Sequence, residues 1–319
     1  MRDLDCRPYE SGDESKILQL FAASYGGRTM TNDHWRWRFL DNPAGQAAIE
    51  LAWQGGELVG HYAVVPVVLA VRGREMLTGL SVTAMIHPRF RRRGLFPFLA
   101  KRAYAGLARD GCVAVWGFPN PNSHRGHVRE LGWKDLREIP ILQLELVKLP
   151  LAFHVSSNVV ELRRFDERFD DFWRNVQSLY PLLVRRNREY LTWRFTRRPD
   201  RDCRILGFIR DNELLGYAVF MSYLDEHCQI VDILTVNDNS VGRQLVVGVA
   251  SMAREDGLKT VRLWLPSTVP LHWELEKLAF ENVAPITYLG ALVLNQRAPG
   301  IDCEAFYQWY YTMSDSDVF

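Results

Sequence analysis

Met85-Ile86-His87-Pro88-Arg89-Phe90-Arg91-Arg92-Arg93-Gly94-Leu95-Phe96-Pro97-Phe98-Leu99 decides how this chain is read. Ahead of its turn, residues 80–86 form an apolar, β-branched run that predicts a strand. Behind it, Leu95, Leu99, Ala103 and Leu107 recur at helical spacing and predict a helix over 95–109. Pro97 falls in the first turn of that helix, where its missing N–H costs nothing. The element is strand, arginine-rich turn, helix. A helix N-terminus presents free backbone N–H groups and a partial positive charge, which suits a phosphate. Gly94 allows the backbone to approach a ligand closely. Arg91, Arg92 and Arg93 add full charges.

In this setting Arg91-x-x-Gly94 resembles the acyl-CoA-binding motif of the GNAT superfamily of N-acyltransferases. The family's motif runs Arg or Gln, two residues, Gly, one residue, then Gly or Ala; here Phe96 holds the last place. The resemblance implies that Arg91, Arg92, Arg93, Gly94, Leu95 and Phe96 hold the donor's pyrophosphate. It implies that the preceding strand, Ala84, Met85 and Ile86, aims a backbone N–H at the reacting carbonyl. A second stretch, Trp116-Gly117-Phe118-Pro119-Asn120-Pro121-Asn122-Ser123, reads as a strand end and a turn, with Asn122 or Ser123 capping a helix. In the family an asparagine there binds the pantetheine arm, which makes Asn120, Asn122 and Ser123 donor-site candidates, Asn122 first. With Leu131-Gly132-Trp133 and the early Trp35-x-Trp37-x-Phe39-x-x-Asn42-Pro43-x-Gly45, the stretch is similar to tandem-GNAT proteins that include nucleotide-amino-sugar N-acyltransferases of polysaccharide biosynthesis. Many members carry an acidic tyrosine where this chain has Val128; His124, His127 and Ser123 are its neighbours.

A chain of 319 residues exceeds what one core usually serves, so two domains are expected. They read as a duplication. Trp37-Arg38-Phe39 recurs as Trp193-Arg194-Phe195, and Glu57-Leu58-Val59-Gly60 as Glu213-Leu214-Leu215-Gly216, both at an offset of 193 − 37 = 156. Asp110-Gly111 recurs as Asp256-Gly257, and Leu131-Gly132-Trp133 as Leu278-Ala279-Phe280. The expected fold class is α/β (α+β): two tandem GNAT-like domains, each a mixed central sheet flanked by helices. Residues 1–150 form the domain with the acyl-CoA loop and 151–319 a degenerate partner, because Asn237-Asp238-Asn239-Ser240-Val241-Gly242-Arg243 replaces the arginine loop there. Asp238 would repel a pyrophosphate.

Net charge is +1, which points to neither nucleic acid nor an anionic membrane surface. The apolar runs are too short to span a bilayer, and Met1-Arg2-Asp3-Leu4-Asp5 does not read as a signal peptide. The five cysteines are scattered without metal spacing and read as reduced thiols of a cytoplasmic protein that binds no metal.

The resemblance implies an N-acyltransferase with acetyl-CoA or another acyl-CoA as co-substrate. The acceptor is a small-molecule primary amine, first an amino sugar, nucleotide-linked or not. Another small amine, or a non-catalytic acyl-CoA-binding regulator, is the alternative. His61, on an apolar strand and with an intrinsic pKa near neutral, is the candidate base. His87 is placed beside the donor. The acceptor is expected in a cleft between the copies, with the aromatic blocks and Asp315-Ser316-Asp317 as lining. A first copy cut out near Pro150 is expected to bind CoA if it folds.

Overall fold

The computed structural model describes residues 4–150, 154–224, 226–295, 298, 300–301 and 303–317. The first half runs β1 (Asp5–Pro8), α1 (Glu14–Ser24), α2 (Asn32–Phe39), β2 (Ala48–Gln54), β3 (Glu57–Val71), β4 (Arg74–Ile86), α3 (Leu95–Arg109), β5 (Ala114–Gly117), α4 (Pro121–Leu131) and β6 (Lys134–Glu145). The second runs β7 (Val159–Leu162), α5 (Arg168–Val176), β8 (Leu182–Val184), α6 (Arg188–Leu191), β9 (Arg204–Arg210), β10 (Glu213–Tyr223), β11 (His227–Thr235), α7 (Asn239–Glu255), β12 (Thr260–Leu263), α8 (Pro270–Lys277), β13 (Glu281–Val293), α9 (Cys303–Tyr307) and β14 (Trp309–Tyr310).

The duplication is visible in the backbone. Asp110 and Asp256 each close the long helix of their copy, and Gly111 and Gly257 follow at φ +83° and +76°. Gly132 is left-handed after α4 at φ +74°, and its counterpart Ala279 keeps that conformation at φ +68° despite its Cβ.

Two compact units form, and neither is one continuous stretch. The first holds the chain up to Leu69, Met76–Arg137 and Tyr288–Cys303. Its strands follow the order β1-β2-β3-β4-β5-β13, the last pair antiparallel from Gly117↔Gly290 to Ala114↔Val293. The second holds Ala70–Glu75, Glu138–Thr287 and the chain from Glu304. Its order is β7-β9-β10-β11-β12-β6, with β12 and β6 antiparallel from Thr260↔Glu145 to Leu263↔Leu142. The sheets match strand for strand, and each takes its last strand from the other half of the sequence. The boundary placed near residue 150 from the sequence differs from this division, because residues 139–147 read from the sequence as the closing strand of their own copy.

In the first unit, Leu95, Leu99, Ala103 and Leu107 of α3 pack on Ala52, Val59, Tyr62 and Val64 of the sheet, with Val115 and Trp133. The aromatic blocks belong to cores: Trp35, Phe39, Trp193 and Phe195 are all buried, and Trp35 packs on Tyr9 and Phe39. In the second unit Arg186 is fully buried between Asp232 and Asp315, 3.0 Å from each, and also donates to Thr312. Removing either carboxylate would leave a buried charge short of a partner. Asp315, read as an acceptor-site residue, is therefore committed to Arg186. Among the described residues, no helix is long and apolar enough to cross a membrane.

Candidate active site

The arginine loop lies in the first unit, between β4 and α3. His87 caps a 3-10 turn over Pro88–Phe90, its Nδ1 accepting from the Arg89 N–H at 3.3 Å. Arg91 then braces the loop: its Nε donates to Ile86 O and its Nη2 to Ser24 O, both at 3.2 Å. Arg92 turns the chain at φ +61°, Arg93 lies over the Phe90 ring at 5.3 Å, and Gly94 is left-handed at φ +75°. Gly94 offers no side-chain cap to α3. Among the described residues, no partner exists for the backbone N–H groups of Arg92, Arg93, Gly94, Leu95 and Phe96. The loop is thus a row of free donors at the positive end of a helix, ringed by exposed guanidinium groups.

Phe96 departs from the family pattern without obstructing this row. Its ring turns in toward α4, edge-on to Tyr62 at 5.6 Å and to His127 at 5.1 Å. Gly126 makes the room, since a Cβ there would lie 2.9 Å from the Phe96 ring. Gly126→Val is expected to cost about 1–3 kcal/mol of stability by overpacking, and adding Phe96→Ala should restore part of it. Urea titrations of both variants check this; additive losses would mean that the two residues do not meet.

Next to the loop, β4 and β5 separate. Among the described residues they pair in parallel through Gly79↔Val115 and Leu80↔Trp116, while β4 continues to Ile86. Thr83 kinks β4 at φ +51°, a conformation rare for a β-branched residue. Beyond it, Met85 is buried, and Ala84 and Ile86 are half-buried against the α3 core. At the end of β5, Asn120 rather than Asn122 or Ser123 caps α4: its Oδ1 accepts from the N–H of Asn122 at 3.0 Å and of Ser123 at 3.2 Å. Asn122 is exposed and Ser123 partly so. Asn–Pro at the helix entry is the signal that marks Asn120 as the cap, because Pro suits the first helical position.

His61 is placed differently from a base. It is fully buried, and its Nδ1 lies 2.8 Å from Thr83 O. A carbonyl only accepts, so Nδ1 carries the hydrogen and Nε2, which has no partner, is bare. Burial pushes the ring down to about 4 from 6.5. The bond holds the kinked residue of β4 instead of facing a substrate. His127 is likewise pushed down to about 4 by burial. Both rings stay neutral when folded but take a proton when unfolded below about pH 6.5. Their stabilisation is present above that pH and is lost as pH falls toward 4, by about 3 kcal/mol for each ring. Urea midpoints at pH 7 and pH 5 should show the loss, and His61→Gln should reduce it. A midpoint independent of pH would contradict the assignment.

Cys112 is buried, its Sγ donates to Ala114 O at 3.3 Å, and burial pushes the thiol up to about 11. It offers no thiolate for an acyl intermediate. In the second unit, Asp238 caps α7, its carboxylate accepting from the Ser240 N–H at 2.9 Å. The helix end that corresponds to the arginine loop is thus occupied by a carboxylate.

Residues 5–135 match the model of the acetyltransferase (GNAT) domain. That stretch is the part of the first half that holds the arginine loop. A GCN5-related N-acetyltransferase from Anabaena variabilis superposes with a TM-score of 0.72 at 11% identity, over 92% of this chain and 73% of that one. A tandem GNAT protein from the clavulanic acid biosynthesis pathway gives 0.61 at 14% identity, over 92% of this chain and 99% of the other. Saccharomyces cerevisiae N-myristoyltransferase with bound myristoyl-CoA gives 0.63 at 11% identity, over 92% and 79%. No curated protein sequence matches the chain. The chain thus shares its fold with proteins that are only 11–14% identical to it.

Proposed function

We propose that the enzyme binds acyl-CoA in the first unit and transfers the acyl group to the primary amine of an amino sugar. The observation that supports the donor site is the row of free N–H groups from Arg92 to Phe96 beside the opening between β4 and β5. A pyrophosphate would take that row and the guanidinium groups of Arg92 and Arg93. The pantetheine arm would follow β4 into the opening, past Ala84, Met85 and Ile86 on one side and the Nδ2 of Asn120, with Asn122 and Ser123, on the other. A backbone N–H of Ala84–Ile86 would meet the oxyanion. The buried Cys112 thiol favours direct attack by the amine over an acyl-enzyme. His61 fixes the Thr83 kink and so acts as a positioning residue, and the amine's proton leaves through water.

The amino-sugar acceptor rests on the likeness of Gly117-Phe118-Pro119-Asn120-x-Asn122-Ser123 with Leu131-Gly132-Trp133 to the polysaccharide enzymes. Thiol release from acetyl-CoA, with a panel of free and nucleotide-linked amino sugars and polyamines, tests it. Turnover confined to polyamines would overturn the acceptor, and failure to bind CoA at all would overturn the donor site.

A further inference from the structure

Tyr62, Tyr104, His127 and Trp133 are all buried around the apolar cluster of the first unit, where an unpaired polar atom is costly. Their hydrogen bonds run in one direction. Trp133 Nε1 can only donate, and it gives its hydrogen to Tyr104 Oη at 3.1 Å. Tyr104 then passes its own hydrogen to Tyr62 Oη at 2.6 Å. Tyr62 has two acceptors in reach. His127 Nε2 is bare, because Nδ1 donates to Ser123 O at 3.0 Å, but it lies 3.5 Å away. Ser81 Oγ lies at 2.7 Å, an ordinary O–H···O length. Tyr62 therefore donates to Ser81, and the one hydrogen left unassigned is that of the Ser81 hydroxyl.

Ser81 stands where β4 leaves β5. Its neighbour Leu80 makes the last pair with Trp116, and a Cβ on Gly117 would lie 3.1 Å from Ser81 O. Ser81 is half-buried, so the row of donors ends at the head of the opening. Each bond in such a row polarises the next, which sharpens the last donor.

We propose that Ser81 is a catalytic residue whose hydroxyl donates a hydrogen bond to the sulfur of the acyl-CoA thioester as the C–S bond breaks. This rests on the pantetheine arm lying between β4 and β5. As the amine forms the new C–N bond, the C–S electron pair goes to sulfur. The proton shed by the amine ends on the thiol. Ser81 holds the charge on sulfur in between and emerges unchanged, while Trp133, Tyr104 and Tyr62 keep it a donor.

The test needs no acceptor, because a donor aimed at sulfur stabilises the thiolate of free CoA. The titratable groups facing Ser81 are Tyr62 from β3, Tyr104 from α3 and His127 from α4, with His124 within one turn on α4. Tyr62 is pushed up to about 12 and His127 down to about 4, so neither titrates between pH 7 and 10. Calorimetry would compare CoA with desulfo-CoA across that range, through the ordinary thiol value of about 8.5. In the natural protein the ratio of the two affinities should rise about tenfold with pH. In Ser81→Ala it should stay flat, and in Tyr62→Phe it should rise less. Unchanged desulfo-CoA affinity in Ser81→Ala shows that the site remains intact. A tenfold rise that survives Ser81→Ala, or no rise in the natural protein, overturns the role of Ser81. Failure of the natural protein to bind even desulfo-CoA instead overturns the donor site, and this role with it.

Discussion

A chain ending at residue 150 is expected not to fold, although it contains the whole arginine loop. The first unit draws Tyr288–Cys303 from the far end of the sequence. Cutting them away strips β5 of its antiparallel partner from Gly290 to Val293. It removes Leu292 and Leu294 from the core and uncovers Trp133, which packs on Gly290. Leu292 and Leu294 are half-buried, so each contributes only part of the about 1.5–3 kcal/mol of a fully buried side chain, against a total stability of about 5–15 kcal/mol for a typical domain. The bared edge of β5 also invites aggregation. Adding residues 288–295 back through a flexible linker should restore a cooperative melt. A cooperative melt of 1–150 within a few degrees of the full chain would show the exchanged strand to be dispensable.

The same strand shows what the sequence does and does not make legible. Residues 80–109 announce strand, turn and helix because their period changes from 2 to 3.6 across a Gly and a Pro, and the structure has β4 and α3 there. The repeated Asp-Gly blocks mark equivalent backbone positions, since helix ends and left-handed turns impose local chemistry. Strand exchange imposes none: residues 134–145 and 281–293 carry the same alternation whichever sheet they join. The role of His61 is illegible in the sequence for a related reason. A histidine on an apolar strand gives no sign of which way its ring turns, and only the kink at Thr83 shows why a buried donor is needed there. Ser81 carries no signal in the sequence, because its surroundings are made by Tyr62, Tyr104 and Trp133, which converge only in three dimensions.

Arg91→Glu is expected to lower CoA affinity by about ten- to a hundredfold, consistent with the loss of about 1.5–3 kcal/mol of charge-assisted bonding. Arg91 braces the loop through Ile86 O and Ser24 O, so a carboxylate there both releases the brace and repels the pyrophosphate. The effect should be largest at low salt and shrink as salt screens the exposed charges. Calorimetry should give one site per chain, because Asp238 already accepts from the N-terminal end of α7 in the second unit. Asp238→Ala serves as the control. It should destabilise α7 by about 1 kcal/mol, the usual cost of losing such a cap, and leave the affinity of the single site unchanged. Two equivalent sites, or an Arg91→Glu variant that binds CoA normally at low salt, would move the donor away from the arginine loop.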